Sequence, residues 1–210
     1  MKRLVTAAVS AVLMFGGAGH ANTIAGGVTS VEVTADLGSI GLAGSPIGGA
    51  GVSVNANGNA VFAFDITGGF LNDDFSSEIT HSGGVRLEAV ADSSVFVELS
   101  NFTIDTVGTE IRGDVVGTGV SLISQAPIFT FSLPALSPSS DPFGAIDDLS
   151  IELLISTAAG GVLTDIFDAP SLAGATFGFA VTDPSPVPLP AAGLLMAGGL
   201  AAFASKRRAA

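Results

Sequence analysis

Apolar and polar positions alternate through most of the chain between residues 22 and 182. Val31-Glu32-Val33-Thr34-Ala35 places every second residue on one face, the pattern of a half-buried strand. Val52-Ser53-Val54 and Val61-Phe62-Ala63-Phe64 flank Asn55-Ala56-Asn57-Gly58-Asn59. Asn-Gly supplies the positive φ angles of a tight turn, so this segment predicts a hairpin. Glu78-Ile79-Thr80 follows, then a Ser82-Gly83-Gly84 turn and the runs Val85 to Ala89 and Val95 to Leu99. Val85, Leu87 and Ala89 share a face, as do Val95, Val97 and Leu99, which predicts an antiparallel meander with one face on a core. Further strands are predicted at Gly119 to Ser124, Ile128 to Leu133, Ser150 to Ser156, Val162 to Phe167 and Thr176 to Thr182. Ala158-Ala159-Gly160-Gly161 reads as a hairpin loop, and Pro134 to Pro142 as a loop.

Ala145 to Leu154 has room for about one helical turn, and no amphipathic helix of ordinary length is expected between Asn22 and Asp183. Many short strands with Gly-rich turns predict an all-β, antiparallel β-sandwich or jelly-roll-like domain. Phe62, Phe64, Phe96, Phe129, Phe131, Phe177 and Phe179 are its expected large core residues.

The two ends break the alternation. Met1-Lys2-Arg3, an apolar stretch from Leu4 to Phe15 and small residues up to Ala21 form a signal-peptide pattern, with cleavage expected between Ala21 and Asn22. At the other end Asp183-Pro184-Ser185-Pro186-Val187-Pro188 is Pro-rich, and such a strip is expected to stay extended and outside any sheet ladder. An apolar run then reaches Ala204 and Ser205, followed by Lys206, Arg207 and Arg208. The run is at the short limit for a bilayer-spanning helix, and the basic cluster favours the cytoplasmic side. The chain therefore divides into a signal segment over 1–21, a β body over 22–182 and a tail over 183–210.

Charge sharpens this division. Five of the seven Lys and Arg residues lie in the end segments, while all nineteen Asp and Glu residues lie between Glu32 and Asp183. Only Arg86 and Arg112 oppose those nineteen carboxylates, a net of −17 for the stretch from Glu32 to Asp183. Nucleic acid is excluded as a partner, since no basic face exists to neutralise phosphates. With no Cys there is neither a disulfide framework nor a thiolate metal site.

Val187-Pro188-Leu189-Pro190-Ala191, the apolar run and Lys206-Arg207-Arg208 together resemble the PEP-CTERM family of sorting signals, in the variant that begins Val-Pro-Leu-Pro-Ala. The resemblance covers about a tenth of the chain. It implies export across the inner membrane of a Gram-negative bacterium through the secretion translocon. A transient hold by the C-terminal transmembrane helix and cutting near the motif by an exosortase would follow. Proteins of this class are surface or extracellular and are associated with exopolysaccharide and biofilm. The resemblance implies no activity for residues 22–182.

The body offers little catalytic chemistry, and the protein is expected to be non-enzymatic. No Gly-x-Ser-x-Gly elbow is present, and no Lys remains in the body for a Ser-Lys pair. His81 is the only His after the signal segment and reads as a solvated turn residue. Paired carboxylates could serve a glycosidase, but no Trp or Tyr exists to stack a sugar. No cofactor is expected, with calcium the one exception: Asp73, Asp74, Asp147 and Asp148 are the candidate oxygen ligands. The leading expectation is a structural or adhesive matrix protein. The alternatives are a secreted module for calcium or a small ligand, then a surface hydrolase.

Overall fold

A computed structural model describes residues 22–147 and 149–188. The signal segment, Asp148 and the sorting signal from Leu189 onward, with its basic cluster, lie outside the described residues. No helix among the described residues is long and apolar enough to cross a membrane.

The architecture is antiparallel β throughout, as the alternation predicted. Among the described residues there are eleven strands: β1 (Asn22–Val33), β2 (Leu42–Ile47), β3 (Gly51–Val54), β4 (Ala60–Leu71), β5 (Ser77–His81), β6 (Gly84–Ala89), β7 (Asp92–Asp105), β8 (Glu110–Gly117), β9 (Val120–Thr130), β10 (Ser150–Ile155) and β11 (Thr176–Pro186). Two α-helices, α1 (Pro142–Ile146) and α2 (Thr157–Phe167), and a short 3-10 turn at Gly38–Ile40 accompany them among the described residues. Instead of two separate sheets, the strands make one sheet whose path runs β7-β5-β4-β1-β11-β10-β9-β8, and β8 pairs back with β7. The path thus closes into a ring, with β6 and β2 added beside β7 and β3 beside β4.

Alternation decides which side chains enter the ring. Phe62, Phe64 and Ile66 of β4, Val31 and Val33 of β1, and Val97 and Ile104 of β7 all point into one core. The Asn55–Asn59 hairpin forms as expected, with Gly58 at φ 86°. Glu32 of β1 accepts hydrogen bonds from the side chains of both Asn55 and Asn59 at 2.7 Å, which ties the hairpin to its neighbour. Of the expected core Phe residues, Phe96 and Phe179 face outward. Phe96 follows from its own strand: with Val97 buried, its neighbour must point the other way. Arg86 lies over the Phe96 ring, 3.6 Å from its centre.

Three expectations are corrected. Residues 157–167 form a helix, not a loop and a strand. The Ser156 hydroxyl caps it by accepting from Ala159 N at 3.0 Å, and Ala159, Val162, Leu163, Ile166 and Phe167 recur at helical spacing on its inner face. The Pro-rich strip does join the ladder, because β11 continues to Pro186 and pairs with β1 from Ile24 to Val33. Val187 N–H donates to Thr23 O at 2.9 Å, so alternation turns positions 184 and 186 toward the opposite edge. There β10 has already ended its pairing at Val181. On that free edge a proline's missing N–H costs nothing. The β-pairing therefore runs past residue 182, to the backbone of Val187. The third correction concerns His81.

Candidate functional site

His81 ends β5 and is buried, only 5% exposed, rather than sitting in a solvated turn. Its Nδ1 lies 3.2 Å from Phe102 O and its Nε2 2.7 Å from Thr29 Oγ1. A carbonyl can only accept, so Nδ1 carries the proton and Nε2 faces the Thr29 hydroxyl, which also lies 3.1 Å from Thr182 Oγ1. Burial is the main reason its pKa is pushed down to about 4; the Phe102 and Ile79 backbone contacts oppose that shift. The ring is therefore neutral at pH 7, with both nitrogens engaged. It is a core residue and not a general base.

Of the calcium candidates, Asp73, Asp74 and Asp147 lie among the described residues and Asp148 does not. Asp74 Oδ1 accepts from Ser76 N at 3.0 Å and Ser76 Oγ at 2.6 Å, closing a local turn. These two bonds, side chain first, hold its pKa below the usual carboxylate range. Asp73 lies 3.5 Å from Asn22 Nδ2, and Asp147 ends α1. Among the described residues no group of three or more His, Asp or Glu side chains could hold a metal ion. Asp92 closes a turn with Ser94 in the way that Asp74 does with Ser76.

The ring of strands has one narrow seam. β9 pairs with β10 at only two positions, Leu154 with Thr130 and Ile155 with Phe129. Beyond it, residues 120–127 of β9 have β8 on one side and no strand on the other. α2 covers that gap. Ser156 anchors its start, with Oγ donating to Pro127 O at 2.6 Å and N donating to Ile128 O at 3.0 Å. A helix stands further from a sheet than a paired strand does, and it cannot satisfy the open edge with its own backbone bonds. The result is a cavity of about 240 Å³ between α2 and β7, β8 and β9. Leu99, Val115, Ala126, Ala159, Val162 and Phe177 are among its walls, which are entirely apolar. Ile123 also lines it while 43% exposed, so the opening lies beside β9.

The closed part of the ring is tighter. The void beside His81 holds about 40 Å³, and the one beneath the loop over residues 132–149 about 70 Å³. The α2 cavity, at about 240 Å³, is the largest of these three apolar interior spaces.

Beside the opening, Asp114 of β8 accepts from Asn101 Nδ2 and Ser124 Oγ at 2.9 Å and from Gln125 N at 3.0 Å. Asn101 and Gln125 have φ of 52° and 49°, so one carboxylate secures irregular backbone in both flanking strands. These hydrogen bonds, that from Asn101 first, hold Asp114 ionised well below the usual range. Sequence reasoning missed this cavity, since it named neither α2 nor the seam.

No family model matches the chain, and no curated protein matches it either. Two solved structures share its fold. One is the C-terminal domain of HtaA from Corynebacterium glutamicum, at 14% identity and TM-score 0.50, covering 77% of this chain and 98% of that one. The other is the heme binding protein HtaB from the same organism, at 12% identity and TM-score 0.52, covering 80% of this chain and 96% of that one. At such identities the likeness is one of fold.

Proposed function

We propose that this protein is an exported β-module that binds a small apolar ligand in the cavity beneath α2. The observation that carries the reading is the cavity itself: about 240 Å³ of apolar space at the one seam closed by a helix. An apolar cavity of ~150 Å³ is enough to hold benzene. The fold shared with HtaB, a heme binding protein, supports a ligand-binding use of this architecture.

Heme itself does not fit the described residues. Its iron takes an axial His, Cys, Met or Tyr. The chain has no Cys or Tyr, and its methionines, at 1, 14 and 196, lie outside the described residues. His81 has both ring nitrogens engaged inside the core. The likeness is thus read as a shared scaffold with a different occupant.

The test is a melting-temperature screen of the mature protein against small hydrophobic compounds, repeated on Ala159→Leu, which fills the cavity. Several compounds should raise Tm in the parent and none in the variant. A flat screen against the parent would remove the reading.

We further propose that the C-terminal motif directs sorting, with a transient membrane hold followed by exosortase cutting and release to the surface or matrix. Val187, 46% exposed at the end of β11, is accessible where that motif begins. A structural role with exopolysaccharide would be a property of the acidic outer face. Intact mass decides the sorting step: a mature product that still carries Lys206 to Arg208 rules it out.

A further inference from the structure

Resting on the cavity reading above, we infer that the site beneath α2 selects uncharged apolar molecules of about ten heavy atoms and rejects their carboxylate analogues. The size follows by scaling from ~150 Å³ for the six carbons of benzene. The charge selection follows from the surroundings.

An anionic ligand needs a cation or free side-chain donors, and the walls supply neither. Arg86 and Arg112 are the only basic side chains among the described residues apart from neutral His81. Arg86 is held by Glu88 at 3.2 Å and Glu98 at 2.8 Å. Arg112 is held by Glu110 at 3.1 Å and Asp105 at 3.7 Å. Each guanidinium already faces two carboxylates. Ser156, next in sequence to the wall residue Ile155, is committed on both sides, donating to Pro127 O and accepting from Ala159 N. A carboxylate drawn into these walls would lose its hydration with no side-chain partner in exchange.

The charges carried by α2, and by the β8 position beside the opening, are themselves negative. Asp114 is fixed in its ionised form beside Ser124 and Gln125, next in sequence to the wall residues Ile123 and Ala126. Asp165 lies on α2, and Asp168 is its C-terminal cap. With the stretch from Glu32 to Asp183 at −17, an approaching anion is repelled before it reaches the mouth. An uncharged molecule meets neither penalty, and a single polar end group can remain in water beside Ile123.

The experiment is calorimetric titration of the mature protein with 1-octanol, octanoate and octylammonium at neutral pH, with hemin followed by absorbance. Octanol should bind, and octanoate should bind at least tenfold more weakly. That gap should narrow as salt screens the acidic rim. Octylammonium should lie nearer to octanol. Hemin should give no ligand-field shift of its main band. Filling the site with Ala159→Leu, or with Ala126→Leu if the first variant misfolds, should abolish octanol binding. Octanoate binding as tightly as octanol, or an axially ligated hemin spectrum, overturns the selection while leaving the cavity in place. If none of the three octyl compounds binds, the cavity reading and the selection fall together.

Discussion

The two flanks of the ring differ in what closes them. On the β1 side, pairing with β4 and β11 extends along nearly the whole strand, and the adjoining core holds a void of only about 40 Å³. On the β9 side, two paired positions and a helix do the same task and leave about 240 Å³. Closure by a hydrogen-bonded strand fixes spacing to about 4.8 Å and lets side chains interdigitate. Closure by a helix is made of side-chain contacts alone, so its fit depends on residue size. Tight burial and open cavity space thus come from one architectural choice, made differently on two sides.

The sharpest way to break that contrast is a pair of truncations. Leu153 is 1% exposed between the two small voids, and Leu163 sits on α2 against the large cavity. Leu153→Ala should cost about 4 kcal/mol, and Leu163→Ala about 2 kcal/mol, because contacts on its cavity side are already missing. Urea unfolding of both variants measures this. Equal losses would mean that the α2 flank is packed as tightly as the strand flank.

His81 reports on the tight flank through pH. Its folded pKa is near 4, below the ordinary value of 6.5. Above pH 6.5 both states are neutral and the group contributes no pH dependence. Between 6.5 and 4 the unfolded chain takes up the proton first, so stability falls as pH drops, by about 3 kcal/mol in all, and levels off below. Carboxylates with lowered pKa, such as Asp114, also lose stability on acidification. The contrast with His81→Gln isolates the histidine. Parallel stability profiles for the two proteins between pH 7 and 4 would show that the ring is not sealed from water.

Much of the strand flank was legible because its determinants are local. The Asn-Gly turn, the alternation of Val85 and Leu87 and that of Val97 are properties of a few neighbouring residues. The burial of His81 was not legible, since Thr29 and Phe102 come from distant strands. Nor was the ladder across Pro184 and Pro186, which depends on β10 stopping short and leaving an edge. α2 is a different case. Gly160-Gly161 looked like a turn, yet the Ser156 cap and the spacing of Ala159, Val162, Leu163 and Ile166 already spelled a helix. The Phe96 assignment went against the alternation of its own strand. The cavity could be read only after β9, β10 and α2 were assembled.

Ser156 is the joint between the two kinds of closure. Ser156→Ala removes the cap on Ala159 N and the bond to Pro127 O, and should cost about 1.5 kcal/mol. Amide exchange in α2 should accelerate more than in β1. Uniform acceleration would mean that helix and ring unfold as a single unit.

The smallest effects make the most specific test, because adjacent residues should respond with opposite signs. Gly160 and Gly161 both lie inside α2, where Ala is favoured over Gly by up to about 1 kcal/mol. A Cβ at Gly161 would meet nothing within 4 Å, so Gly161→Ala should gain most of that amount. A Cβ at Gly160 would stand 2.8 Å from Ala173 N and 3.0 Å from its Cα, backbone that cannot swing aside as a side-chain tip would. There the clash outweighs the propensity gain, and Gly160→Ala should lose about 1 kcal/mol while lifting α2 from the cavity. Thermal unfolding of the two variants gives the signs, and octanol affinity gives the consequence: weakened for Gly160→Ala, unchanged for Gly161→Ala. If both substitutions stabilise alike, α2 is not pressed against the segment after it, and the helical flank is looser than the contrast requires.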